Sequence, residues 1–115
     1  MFANPQGKTA GRKLGILVLS RQSPGDLKII CAIAQAAANK GVHVQVFLMG
    51  EGVLHLGESC LQKALKEGVR VSFCALNAMQ RGMDQHPQYP WGADESSQYE
   101  LACMVEGSDR FLAFT

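Results

Sequence analysis

A chain of 115 residues with 47% hydrophobic and 18% charged side chains has the composition of one folded domain that buries a core. Eleven basic against ten acidic residues leave a formal charge of +1, so no long-range field selects nucleic acid, anionic lipid or a polyacidic partner. No apolar run approaches the roughly 20 residues that span a bilayer, and Met1 to Leu14 lacks the apolar centre of a secretory signal. The expectation is a cytoplasmic protein with no membrane and no direct nucleic-acid partner.

Residues 1–13 are rich in Gly, Asn, Gln and Lys without periodicity and read as a flexible N-terminal leader, which leaves 14–115 as a single domain. Leu14 to Ser20 is a continuous apolar run of strand length, the pattern of a strand covered on both faces. Ser23 then offers an N-cap oxygen, Pro24 suits the first helical position, and Asp26 puts negative charge in the first turn. Leu27, Ile30, Cys31, Ala34, Ala37 and Ala38 recur at helical steps as one apolar stripe, and Gly41 ends the run. Val42 to Met49 has strand composition, and strand after helix after strand argues for a right-handed parallel crossover.

The stretch GEGV is expected to turn, after which Glu58 or Ser59 caps a short helix with Leu61, Ala64 and Leu65 inward and Gly68 at its end. Val69 to Phe73 reads as a third strand, Ala75 to Arg81 as a brief helix closed by Gly82, and Asp84 to Ser97 as a loop. Tyr99 to Glu106 reads as a helix and Asp109 to Phe114 as a closing strand. The sum is an α/β fold, a three-layer α/β/α sandwich around a mostly parallel sheet of four to five strands.

The cysteines at 31, 60, 74 and 103 form no close pair, so neither a zinc knuckle nor a dense disulfide framework is suggested. Cys31 lies on the apolar stripe of the first helix and Cys103 between apolar neighbours, so both read as core. Cys74 falls where a strand hands over to a helix. In open parallel sheets reactive groups collect at the carboxyl ends of strands, where free N–H groups of helix starts favour thiolate over thiol. From position alone, Cys74 is either such a nucleophile, opening on the rim of the sheet, or a small residue filling the end of a buried strand. Cys60, in the first turn of a helix, is a rival. His55 and His86 lie on segments that follow strand ends, from which an imidazole can approach a thiolate or a substrate. His43, at a strand start, reads as structural or exposed. No metal-ligand spacing, catalytic triad, G-x-G-x-x-G or P-loop is recognisable, so no metal and no cofactor is expected. The aromatic residues Tyr89 and Trp91 imply that the 84–97 segment is a lid over the Cys74 end, an oligomer contact, or a loop folded onto its own core.

The first strand, SPGDLKIICAIAQAAANKG, VQVFLMGEGV, VRVSFCALNAMQRGM and LACMVEGSDRFLAF, in that order over Leu14 to Phe114, resemble the DsrE/DsrF-like sulfur-relay proteins, which include the Tus and Dsr subunits. The resemblance implies a parallel α/β fold, assembly into trimers or hexamers, and a cysteine after the third strand that holds sulfur as a persulfide. Cys74 occupies that place. Nothing comparable carries over to Cys60, His55 or His86. The implied function is a sulfur carrier that takes sulfane sulfur from a donor protein and hands it to an acceptor protein. The competing expectation is a non-catalytic subunit that oligomerises or binds a small ligand, with its thiols serving as packing.

Overall fold

The computed structural model describes residues 11–115. Of the expected leader, 1–10 lie outside the described residues. Arg12 accepts a hydrogen bond from the His43 N–H at 2.8 Å, and Lys13 already belongs to the first strand, so paired backbone reaches back to the end of that segment.

Five strands, β1 (Lys13–Val18), β2 (His43–Leu48), β3 (Arg70–Cys74), β4 (Asp94–Ser96) and β5 (Arg110–Phe114), form one sheet in the order β4-β3-β2-β1-β5. Every pairing is parallel. The helices are α1 (Pro24–Asn39), α2 (Ser59–Lys66), α3 (Ala75–Gln80) and α4 (Gln98–Gly107), with 3-10 turns at Gly50–His55 and Met83–Gln85. The three-layer α/β/α sandwich read from the sequence is therefore present. Among the described residues no helix is long and apolar enough to cross a membrane.

The connections explain the layers. Chain order and spatial order run together from β1 to β4, so each right-handed crossover lands on the same face of the sheet. The next connection reverses direction, carrying the chain from β4 past β1 to β5, and α4 therefore lies on the opposite face. Side chains alternate between these faces along each strand. Ile16, Val18, Val44, Val46, Leu48, Val71 and Phe73 meet Leu27, Ile30, Cys31 and Ala34 of α1 and Leu61 and Ala64 of α2 in the larger core. The smaller core, on the α4 face, holds Phe47, Cys74 and Met104, with Leu17, Met49, Leu101 and Phe111 against them.

The local signals act as their chemistry dictates. The Ser23 hydroxyl accepts the Asp26 N–H at 3.1 Å, Pro24 opens α1, and the stripe from Leu27 to Ala34 is buried. At α2 the N-cap position is Glu58, whose side chain makes no capping bond. The expected GEGV turn is the start of a 3-10 turn that packs over the exit of β1.

The 84–97 segment is the chief departure. It contains β4, which pairs with β3 through Ser72 and Asp94, Phe73 and Glu95, and Cys74 and Ser96. Tyr89 meets Phe73 edge-on at 5.6 Å and donates its hydroxyl hydrogen to Glu95 at 2.6 Å. Trp91 lies against Gly57, where an added Cβ would come within 2.8 Å of the indole. Both rings are partly buried against the larger core, the packing expected of a segment folded onto its own core.

Candidate functional site

Cys74 is the last residue of β3 and the N-cap of α3, with extended backbone at φ −73° and ψ 111°. The run Val71 to Phe73 favours a covered strand, and Asn77 stabilises the turn that follows: its Oδ1 accepts the Gly50 N–H at 2.9 Å, tying α3 to the 3-10 turn after β2. Strand end and helix start thus meet at Cys74, as the sequence reading anticipated.

The position has a second distinction, visible only in the topology. The chain leaving β3 enters α3 on the α1/α2 side, whereas the chain leaving the adjacent β4 enters α4 on the other side. A parallel sheet opens its crevice where neighbouring strands send their connections to opposite faces, outside the carboxyl ends. Here that switch lies between Cys74 and its register partner Ser96. Register partners on adjacent parallel strands project to the same face, so the Ser96 hydroxyl and the Cys74 thiol share the α4 side. Among the described residues the buried Ser96 Oγ has no hydrogen-bond partner, which leaves its hydroxyl available to donate on the face it shares with Cys74.

Of the two placements read from the sequence, the thiol fills the end of a buried strand and does not stand open on the rim. Cys74 keeps 3% of its surface and is enclosed by Phe47, Met104 and their neighbours, because α4 crosses this face. Met49 and Leu101, which pack on that cluster, also line a shallow groove of about 460 Å³ with Ala102 and Val105. The larger cavity, about 570 Å³, opens at the other end of the sheet between the strand starts Lys13, His43 and Arg70 and the α4 residues Glu100 and Cys103. Strand starts lack the divergent loops and helix N-termini that build anion sites, so volume is a poorer guide here than topology.

The secondary candidates go elsewhere. His55 is buried in the 3-10 turn, and its Nε2 accepts the Gln22 N–H at 2.8 Å, which puts the proton of the neutral ring on Nδ1. Burial lowers the ionisation of this imidazole, opposed by the Glu58 charge and reinforced by Arg21. His55 thus fastens the loop between β1 and α1 to the turn after β2. His86 stacks on Trp91 at 4.7 Å, and its Nδ1 accepts the Gln88 N–H at 3.0 Å, inside the aromatic loop. Cys60, half-buried in the first turn of α2, packs on the larger core, which also holds Cys31. Among the described residues no group of three or more His, Cys, Asp or Glu side chains is placed to hold a metal ion. The sequence reading passed over Ser96 and Asn77: both are ordinary loop-type residues in the sequence, and their roles come from strand register and from a contact between distant turns.

No family model matches the chain, and no curated protein does. Solved structures do. The ychN protein from E. coli is 19% identical, with a TM-score of 0.72 over 90% of this chain and 98% of its own. The conserved protein BT1422 from Bacteroides thetaiotaomicron is 17% identical, with a TM-score of 0.73 over 97% and 100%. MTH1491 from Methanobacterium thermoautotrophicum is 20% identical, with a TM-score of 0.66 over 90% and 99%. The DsrE-like resemblance is thus met at the level of architecture: the chain has the small α/β fold of the ychN protein over nearly its whole length.

Proposed function

We propose that the chain is a cytoplasmic sulfur carrier in a sulfur-relay or sulfur-oxidation pathway, with Cys74 as the sulfur-bearing residue. The Cys74 thiolate attacks the outer sulfur of a donor protein's persulfide, forming Cys74–S–SH and releasing the donor thiolate. An acceptor thiolate then attacks that outer sulfur and restores Cys74. Sulfur changes hands with no net oxidation and no metal or organic cofactor. The observation that carries the reading is the place of Cys74 at the switch point of the sheet, beside the unpartnered Ser96 hydroxyl, which is suited to donate to a sulfur anion. On α3, directly after Cys74, Leu76 and Met79 are exposed apolar groups suited to a donor, an acceptor or further copies of the chain in a trimer or hexamer.

The test is to load the protein with a persulfide donor and map the added sulfur by mass spectrometry. The expected result is one added sulfur on Cys74 that is absent from Cys74→Ser; label retained by that variant moves the chemistry to another residue.

A second reading is favoured by the 3% exposure of Cys74: an oligomerising or ligand-binding subunit in which the thiol only packs. Native-state alkylation separates the two. A Cys74 that reacts in native protein at neutral pH faster than in unfolded protein supports the carrier, and one that reacts only on unfolding supports the subunit.

A further inference from the structure

Side chains alternate between the two faces of a strand, and register partners share a face. Lys13, His43 and Arg70 therefore project on the α4 side from the starts of β1, β2 and β3, with Gln45 across from Arg70. On that side α4 and its C-cap rest against β1 at Gly15, where an added Cβ would come within 2.7 Å of the Ser108 Oγ and 3.3 Å of the Met104 Cε. Beside that contact lies the cavity of about 570 Å³, with His43, Gln45 and Arg70 in its sheet wall and Glu100 and Cys103 in its α4 wall. The volume falls within the roughly 300–1,000 Å³ of small-molecule sites. Main-chain anion sites belong to the other end of the sheet, so recognition here rests on side chains.

Those side chains carry both signs of charge and leave them unpaired across the cleft. The Arg70 Nε donates to the Asp94 Oδ2 at 2.9 Å, which holds the guanidinium in place and leaves its two terminal nitrogens without a partner among the described residues. Among the same residues the Lys13 ammonium, the His43 ring and the Glu100 carboxylate make no hydrogen bond or ion pair. Gln45 donates from its Nε2 to the Ser72 Oγ at 2.9 Å, and its Oε1 accepts nothing. We propose that this cleft binds a small zwitterion of about dipeptide size. Its carboxylate is held by Lys13, His43 and Arg70 from the sheet, and its ammonium by Glu100 from α4 with the Gln45 Oε1; hydrogen bonds of this kind, between ionised groups, are the strong ones.

The test uses the full-length chain with alanyl-leucine as the probe, and its N-acetyl and C-amide forms, each lacking one charge, as controls. Binding is read from thermal melts and from the rate at which iodoacetamide modifies Cys103, the exposed thiol in the cleft wall, with peptide mapping to assign the site. Alanyl-leucine at about 10 mM is expected to raise the Tm and to slow Cys103 modification several-fold, while each blocked form binds at least about tenfold more weakly, the loss due to one charged hydrogen bond. In Glu100→Gln, a change at an exposed position, the free and acetylated dipeptides should bind alike. Absence of both the melting shift and the Cys103 protection overturns the proposal, as does equal protection by the free and blocked forms, or a preference for the free dipeptide that survives Glu100→Gln. Neither Cys74 nor a persulfide takes part, so the outcome is independent of the carrier reading.

Discussion

Gly52→Ala tests the link between the 3-10 turn and the sheet. A Cβ at Gly52 would lie 2.1 Å from the Val18 carbonyl oxygen and 2.9 Å from its carbon, both backbone atoms of β1. Carbon and oxygen settle no closer than about 3.3 Å even in weak C–H···O contacts, so turn and strand must separate by roughly 1 Å at a place where β1 is hydrogen-bonded on both sides. No side chain can swing aside to absorb this. Overpacking a close-packed interior costs typically 1–3 kcal/mol, and a backbone wall puts this site at the upper end, about 3 kcal/mol, or a Tm lower by roughly 10–20 °C. Gly25→Ala is the matched control: it adds the same methyl in the first turn of α1, where nothing lies within 4 Å, and is expected to be neutral or to stabilise by up to about 1 kcal/mol. Thermal and denaturant melts of the two variants measure both effects. A Gly52→Ala protein melting within about 2 °C of wild type would refute the reasoning, because it would show that the turn does not rest on β1 as described.

His55 makes stability depend on pH. Its folded ionisation lies below the ordinary 6.5, so both states are neutral above that value and stability is full there. As pH falls through 6.5 toward the folded value the unfolded chain takes up the proton first, and stability declines by at most about 1.4 kcal/mol per pH unit. Urea melts across that range should show the slope, and His55→Gln should remove it. For Ser96→Ala, deleting a buried hydroxyl without a partner is expected to leave resting stability unchanged or raise it by up to about 1 kcal/mol, while the Cys74 persulfide decays several-fold faster in time-resolved mass spectra; a clear loss of stability would show that the hydroxyl is already bonded. Trp91→Ala removes the ring stacked on His86 and seated against Gly57, and a loss of about 2–3 kcal/mol is expected for a partly buried indole, read by circular dichroism because this is the only tryptophan.

The parts of the fold written in local chemistry were legible. The Ser23 cap with Pro24 and Asp26, the stripe on α1 and the apolar run of β1 each needed only neighbours within a few residues, and each is where the spacing puts it. β4 was not legible. Three residues carry no periodicity, and what makes them a strand is pairing with Ser72, Phe73 and Cys74, together with the Arg70–Asp94 ion pair at 2.9 Å. The site divided in the same way. The junction at Cys74 could be read from a strand pattern meeting a helical one, but its enclosure depends on α4 crossing the opposite face, which follows from β5 lying beyond β1. His55 looked like a loop imidazole because the Gln22 backbone that holds it comes from another turn.

The two sides of the sheet are unequally roofed. Three helices, α1, α2 and α3, and the aromatic loop are packed on one side, while ten residues of α4, with Met104 as their buried anchor, shield the other. Shielding held by so few side chains can lift away for a moment while the rest of the molecule stays folded. The thinner roof is the one above Cys74, and under the carrier role proposed above the lifting of α4 would set how often a partner reaches the sulfur.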